Sequence, residues 1–284
     1  MSNAPSSLSP RQRMINMMYL VLTALLALNV SKEVLNAFHS VNYGLKSTNE
    51  STIVTNQQVY TQFEDIALRN PEKNGPWKDR AFAVKSNIND LQYLIKEIKF
   101  ELIKDADQKI HFIGEVDAEN KSKEFEIKDV SYADFIKQHP HLINKKIGFE
   151  KDGKIKVVQN EKNTSIAWNL LRDDKPESVE YVLGPKLKDN IDGLKAILLS
   201  EKQDYNNNKD GVQILLEDKS LRQEIAKILS TKISGVKSKK FGSGKADSTW
   251  LATKFRAMPV IAAFTMLTQL ESDLLKIESD IIKH

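Results

Sequence analysis

AFAVKSNINDLQYLIKEIKFEL, residues 81–102, decides the fold class. Ala81, Val84, Ile88, Leu91, Ile95, Ile98 and Leu102 step by three and four in strict alternation. That spacing lines one face of an α-helix with apolar side chains and predicts a long helix packed along its length. Upstream, Val34, Phe38, Val41, Leu45, Thr48, Thr52, Thr55 and Val59 follow the same step and predict a first long helix with a weaker, threonine-containing seam. Asn70-Pro71 through Gly75-Pro76 reads as the turn between the two. Further helical patterns cover Lys186–Ser200, Lys219–Ile233 and about Ser248–Ile282, where Pro259 either kinks or begins the helix. The expected fold is mainly α, an elongated antiparallel bundle suited to a rod or lever.

One segment departs from this pattern. His111 to Asn163 is polar and lysine-rich, and it reads as an insertion with a little strand or partial disorder. Within it, residues 145–159 (KKIGFEKDGKIKVVQ) predict a hairpin around Asp152-Gly153.

Composition excludes several classes. No cysteine occurs in the 284 residues, which removes disulfides, thiolate metal sites, cysteine nucleophiles and a lipoprotein anchor. The net charge is a modest +4. The one basic run, at Lys237, Lys239 and Lys240, lacks interleaved aromatic residues and reads as a solvated loop, so no nucleic-acid partner is expected. His139-Pro140-His141 lacks further ligands for a metal. Lys209 and Leu215 spoil the calcium-loop spacing that begins at Asp204. Lys239 replaces the glycine that a phosphate loop through Gly242-Ser243-Gly244-Lys245 would need. No enzyme signature, metal site or cofactor is expected.

Residues 14–31 (MINMMYLVLTALLALNVS) carry no charge. As a helix this run reaches about 27 Å, just enough for a hydrocarbon core of about 30 Å. Ser9-Pro10-Arg11-Gln12 predicts a capped start ahead of it. Arg11 and Arg13 precede the run and no acid does, so the positive-inside rule puts the N-terminus in the cytoplasm. The expected organisation is a cytoplasmic tail (1–9), a transmembrane helix (10–31) and a periplasmic helical-bundle domain (32–284) holding the polar insertion (111–163). A cleaved signal peptide is the main rival, though no A-x-A site follows Ala27. A buried soluble helix is the other.

Asn16, Tyr19, Thr23 and Ala27 fall on one face of the run. Such a stripe is either a helix–helix packing seam of a homodimer or a polar track facing another partner. Arg11 lies on a different side. The first acid in the chain is Glu33, beyond the span. Arginine does not deprotonate in proteins. A proton-driven function would therefore need a carboxylate from another subunit.

Leu8 to Phe38 (LSPRQRMINMMYLVLTALLALNVSKEVLNAF) closely resembles the start of the GldM family, called PorM in some members. Met258 to Leu267 (MPVIAAFTML) resembles the segment that closes the family's first periplasmic domain. The resemblance implies a subunit of the proton-motive-force-driven rotary motor of type IX secretion and gliding motility. It implies a homodimeric transmembrane pair inside a ring of GldL, a two-span inner-membrane protein with a buried carboxylate. Arg11 would pair with that carboxylate, and Tyr19 matches the family's membrane tyrosine. It also implies further periplasmic domains toward the outer-membrane components, so a chain ending at His284 is expected to be cut after the first of them. A membrane-tethered helical sensor or scaffold is the alternative; it would need a second span or a cytoplasmic output domain.

Overall fold

The computed structural model describes residues 10–283 except 120, 149, 152–153, 156–157, 159, 174–181, 201–215 and 233–248. Ser9, the lysine run at 237–240, the calcium-like loop, the Gly242–Lys245 segment, the Asp152-Gly153 turn and His284 lie outside the described residues.

Two helices set the frame. α1, Pro10–Arg69, runs 60 residues without a break, about 90 Å at about 1.5 Å per residue. α2, Pro71–Asp107, returns antiparallel to it. The turn between them is tighter than the sequence suggests. Asn70 alone caps α2, its side chain accepting from Lys73 N at 3.2 Å, and Pro71 occupies the first helical position. Pro76 lies inside the helix. The first four N–H groups of a helix lack intrahelical partners, so a proline this early removes only one bond near the end of the ladder.

The α2 seam is buried as its spacing predicts, from Ala81 at 6% exposure to Leu102 at 0%. Burying each of the larger aliphatic side chains contributes about 1.5–3 kcal/mol. It packs with α4 (Ser165–Leu171), α5 (Gly184–Leu199), α6 (Lys219–Ile228), α7 (Trp250–Phe255) and α8 (Val260–Lys283) in the main core. The predicted helix from Ser248 is two helices. Ala257 turns with φ 56°, and Pro259 starts α8 by accepting from Ala263 N at 3.0 Å. A proline disfavours helical backbone in the residue before it, which makes this the natural break.

The polar insertion is better ordered than its composition suggests. β1 (Lys109–Val116) pairs antiparallel with β2 (Ser122–Glu126) and β3 (Ile147–Gly148) in the order β2-β1-β3; β4 (Glu150–Lys151) and β5 (Lys154–Ile155) form a short hairpin. α3 (Tyr132–Gln138) covers the sheet. Ile110, Phe112, Phe125, Ile127, Tyr132 and Phe135 build a second core together with Phe100, Leu35, Val260 and Phe264. Phe125 and Ile127 alternate with exposed Glu124, Glu126 and Lys128, so the segment reads as polar although one face is apolar.

α1 carries the main correction. Its predicted seam is only partly buried: Phe38 and Val59 pack against core clusters, but Val34 is 46% and Val41 53% exposed. The buried row lies one residue on, through Leu35, His39, Asn42, Lys46, Asn49, Asn56 and Tyr60. Leu35 enters the second core at one end, and Tyr60 meets Ala81 and Ile282 in a small cluster at the other. These two anchors set which row faces inward, and the row between them is polar.

Candidate functional site

The residues singled out from sequence, Arg11, Asn16, Tyr19, Thr23 and Ala27, all lie on the continuous backbone of α1. The helical register keeps Asn16, Tyr19, Thr23 and Ala27 on one face. Their side chains, and most of the apolar run, lie outside the described residues. Among the described residues, no helix is long and apolar enough to cross a membrane. Met14, Met17 and Met18, whose side chains are described, are each more than 60% exposed.

The structure brings together a different set, which sequence reading missed: the buried face of α1 against α8. The two helices run parallel, since Asn42 meets Thr268 and Asn56 meets Glu278. At the proximal end His39 Nε2 donates to Glu161 Oε2 at 3.0 Å, both side chains buried. Glu161 also accepts from Ile261 N through its carbonyl at 3.4 Å, so it ties α1 to the first turn of α8. Thr268 Oγ1 donates to Asn42 Oδ1 at 2.8 Å. At the distal end Asn56 Nδ2 donates to Glu278 Oε2 at 3.1 Å, and Tyr60 OH donates to Glu278 Oε1 at 2.8 Å. Midway, Lys99 of α2 reaches Glu271 of α8 at 2.7 Å, with its Nζ 4.8 Å from the Phe264 ring centre. The signal for this row was present as His and Asn at heptad spacing, one residue behind a more apolar row.

Electrostatics follow from burial. Desolvation pushes the Glu278 carboxyl up, against the lowering effect of its Tyr60 and Asn56 hydrogen bonds. Burial, with the Glu278 charge beside it, raises the Tyr60 phenol beyond its ordinary range. Burial lowers the Lys99 ammonium, with Glu271 opposing. For Glu278 the sign is clear. A carboxyl whose folded pKa is raised binds its proton more tightly when folded, so its contribution to stability falls as pH rises through the ordinary carboxylate range toward the raised value. The Glu278→Gln variant is expected to be less pH-dependent, with its stability relative to the parent improving as pH rises from 4 to 8. Thermal unfolding of both proteins across that range reads this directly; parallel curves would contradict it.

Among the described residues, this arrangement fixes one long helix against another through buried polar pairs. The family model described as the GldM N-terminal domain matches residues 33–132 and 115–284, in two overlapping stretches.

The chain belongs to the GldM family.

No curated protein matches the chain. The GldM match begins at Glu33 and includes the bundle, the β-containing insertion and the whole of α8. It therefore takes in both sides of the polar seam, from His39 to Tyr60 on α1 and from Thr265 to Glu278 on α8. Membership in the GldM family points to a component of gliding motility and type IX secretion.

Proposed function

We propose that this chain is the lever of a proton-motive-force-driven rotary motor for type IX secretion and gliding, anchored in the inner membrane by Met14–Ser31 with its N-terminus in the cytoplasm. The observation that carries the reading is the uninterrupted helix Pro10–Arg69. A helix that continues from an apolar run into a bundle passes tilt or rotation from one to the other, whereas a loop between them would absorb it.

The partners follow from the same helix. A homodimer is favoured by the outward row of α1, where Val34 and Val41 stand exposed and Thr48 and Thr55 continue the row. Two such rows would cover each other at heptad spacing. In the membrane the pair sits inside a ring of GldL-like two-span subunits. Arg11 attracts an ionised carboxylate of one ring subunit, and protonation of that carboxylate releases it to the next. Asn16, Tyr19, Thr23 and Ala27 form the packing face of the pair. The reading makes the protein a mechanical component and not an enzyme, working without metal or cofactor.

A six-residue Gly-Ser insertion between Lys32 and Glu33 tests the lever. Secretion is expected to fall severalfold in cells carrying the variant in the full-length protein, with membrane insertion and bundle folding unchanged. Undiminished secretion would remove the lever from the account.

A further inference from the structure

Resting on the lever reading, we propose that the polar row of α1 is a register lock that stops α1 from rolling or sliding on α8. Among the described residues, α1 buries no apolar side chain between Leu35 and Tyr60. In that interval it buries His39, Asn42, Lys46, Asn49 and Asn56. One residue away lies the more apolar row of Val34, Phe38, Val41 and Leu45, whose valines are exposed and whose Phe38 and Leu45 are only half-buried. By hydrophobic burial alone, that row is the better one to press against α8. A torque on the N-terminal end of α1 would therefore be relieved by rolling the helix about 100° onto its apolar row. The hydrogen bonds oppose this. Apolar surfaces attract without direction and accept a neighbouring register, but a hydrogen bond is lost beyond about 3.5 Å. Rolling α1 would withdraw Asn42 from Thr268, Asn56 and Tyr60 from Glu278, and His39 from Glu161 together. It would strip the buried Glu278 and Glu161 carboxylates of these partners, which costs more than the bonds are stabilising. Buried polar side chains that fix helix register are the best-attested use of such groups. The rungs lie at both ends of the contact, so twist applied at one end is held at the other.

The absence of native cysteine makes engineered pairs unambiguous. The Asn42→Cys/Thr268→Cys pair reports the native register. The Val41→Cys/Thr268→Cys pair reports the rolled one. Each is oxidised in the full chain in membranes, first with the distal rung intact and then with it removed by Asn56→Leu, Tyr60→Phe and Glu278→Leu together with the His39 rung by His39→Leu and Glu161→Met. Intrachain bonds are separated from interchain ones by the mass of the product. With both rungs intact, only the 42/268 disulfide is expected. With both removed, the 41/268 disulfide is expected to form at comparable yield. Exclusive 42/268 bonding in the rung-free chain would overturn the lock. Should that chain lose its helical circular dichroism, Glu278→Met with Glu161→Met is read with the same two pairs and by the same criterion. A second arm is independent of rolling: oxidised 42/268 chains are expected to support secretion as well as reduced ones. Loss of secretion on oxidation, restored by reductant, would show that α1 must move over α8 and would overturn the lock. Failure of the lever reading itself appears elsewhere, as secretion that tolerates the Gly-Ser insertion.

Discussion

Glu271→Ala is expected to destabilise the protein by about 3–5 kcal/mol, the usual cost of stranding one partner of a buried ion pair. Lys99 is 4% exposed and its side chain is held by Glu271 at 2.7 Å. Removing the carboxylate leaves the ammonium in the core beside Phe264, where the ring face compensates only in part. Lys99→Met is expected to cost less, because the stranded Glu271 side chain is 19% exposed and can turn toward water. The double variant Lys99→Met/Glu271→Leu is expected to recover most of the loss, since apolar side chains of similar volume replace buried ion pairs at little cost. Denaturant unfolding of the three variants closes the cycle. A Glu271→Ala cost below about 1 kcal/mol, the range of exposed pairs, would mean that the pair does not clamp α2 to α8.

Arg11→Ala is expected to reduce secretion and gliding to the level of cells lacking the protein, while insertion, dimerisation and folding persist. The size of the effect follows from what the arginine is asked to do. Separating a buried charge from its partner costs on the order of 3–5 kcal/mol. One charge crossing the membrane potential delivers about 2.3 kcal/mol per 100 mV, with any pH gradient in addition. The drive and the interaction it switches are of the same order, so loss of the interaction stops the cycle. Arg13 remains to satisfy the topology signal. Arg11→Lys is expected to keep only part of the output, because an ammonium lacks the planar two-pronged donor set. Secretion assays in a full-length background measure both. Normal secretion by Arg11→Ala would return that residue to a topology signal.

Much of the bundle was legible in the sequence, and the reasons differ by element. The α2 seam was read correctly because its apolar row runs unbroken from Ala81 to Leu102, and apolar neighbours such as Leu94 and Ile103 are buried beside it and widen the same face. The break before α8 was visible as Pro259, although spacing alone could not choose between a kink and a start. α1 misled because two heptad rows sit one residue apart and the more apolar one is only partly buried, with Val34 and Val41 exposed. The choice between them was made by Leu35 and Tyr60, whose partners Phe264, Ala81 and Ile282 come from distant parts of the chain. The insertion hid a core because Phe125 and Ile127 are flanked by outward Glu and Lys, and buried His111 sits between Ile110 and Phe112. As for the site, the assignment of Arg11, Asn16, Tyr19, Thr23 and Ala27 rests on the N-terminal resemblance alone, since the family match begins at Glu33. The polar seam was not legible, since a buried asparagine is recognised only by the partner that satisfies it.

In the proposed motor, two copies of this helix are held within a ring of membrane subunits that supplies a carboxylate at membrane depth. Co-purification of the full-length protein in detergent with its neighbour-encoded membrane proteins, followed by native mass spectrometry, tests it most directly. Two copies of the chain with several copies of a small two-span protein bearing a membrane glutamate or aspartate are expected. A chain that emerges alone, or a partner with no intramembrane acid, would contradict it.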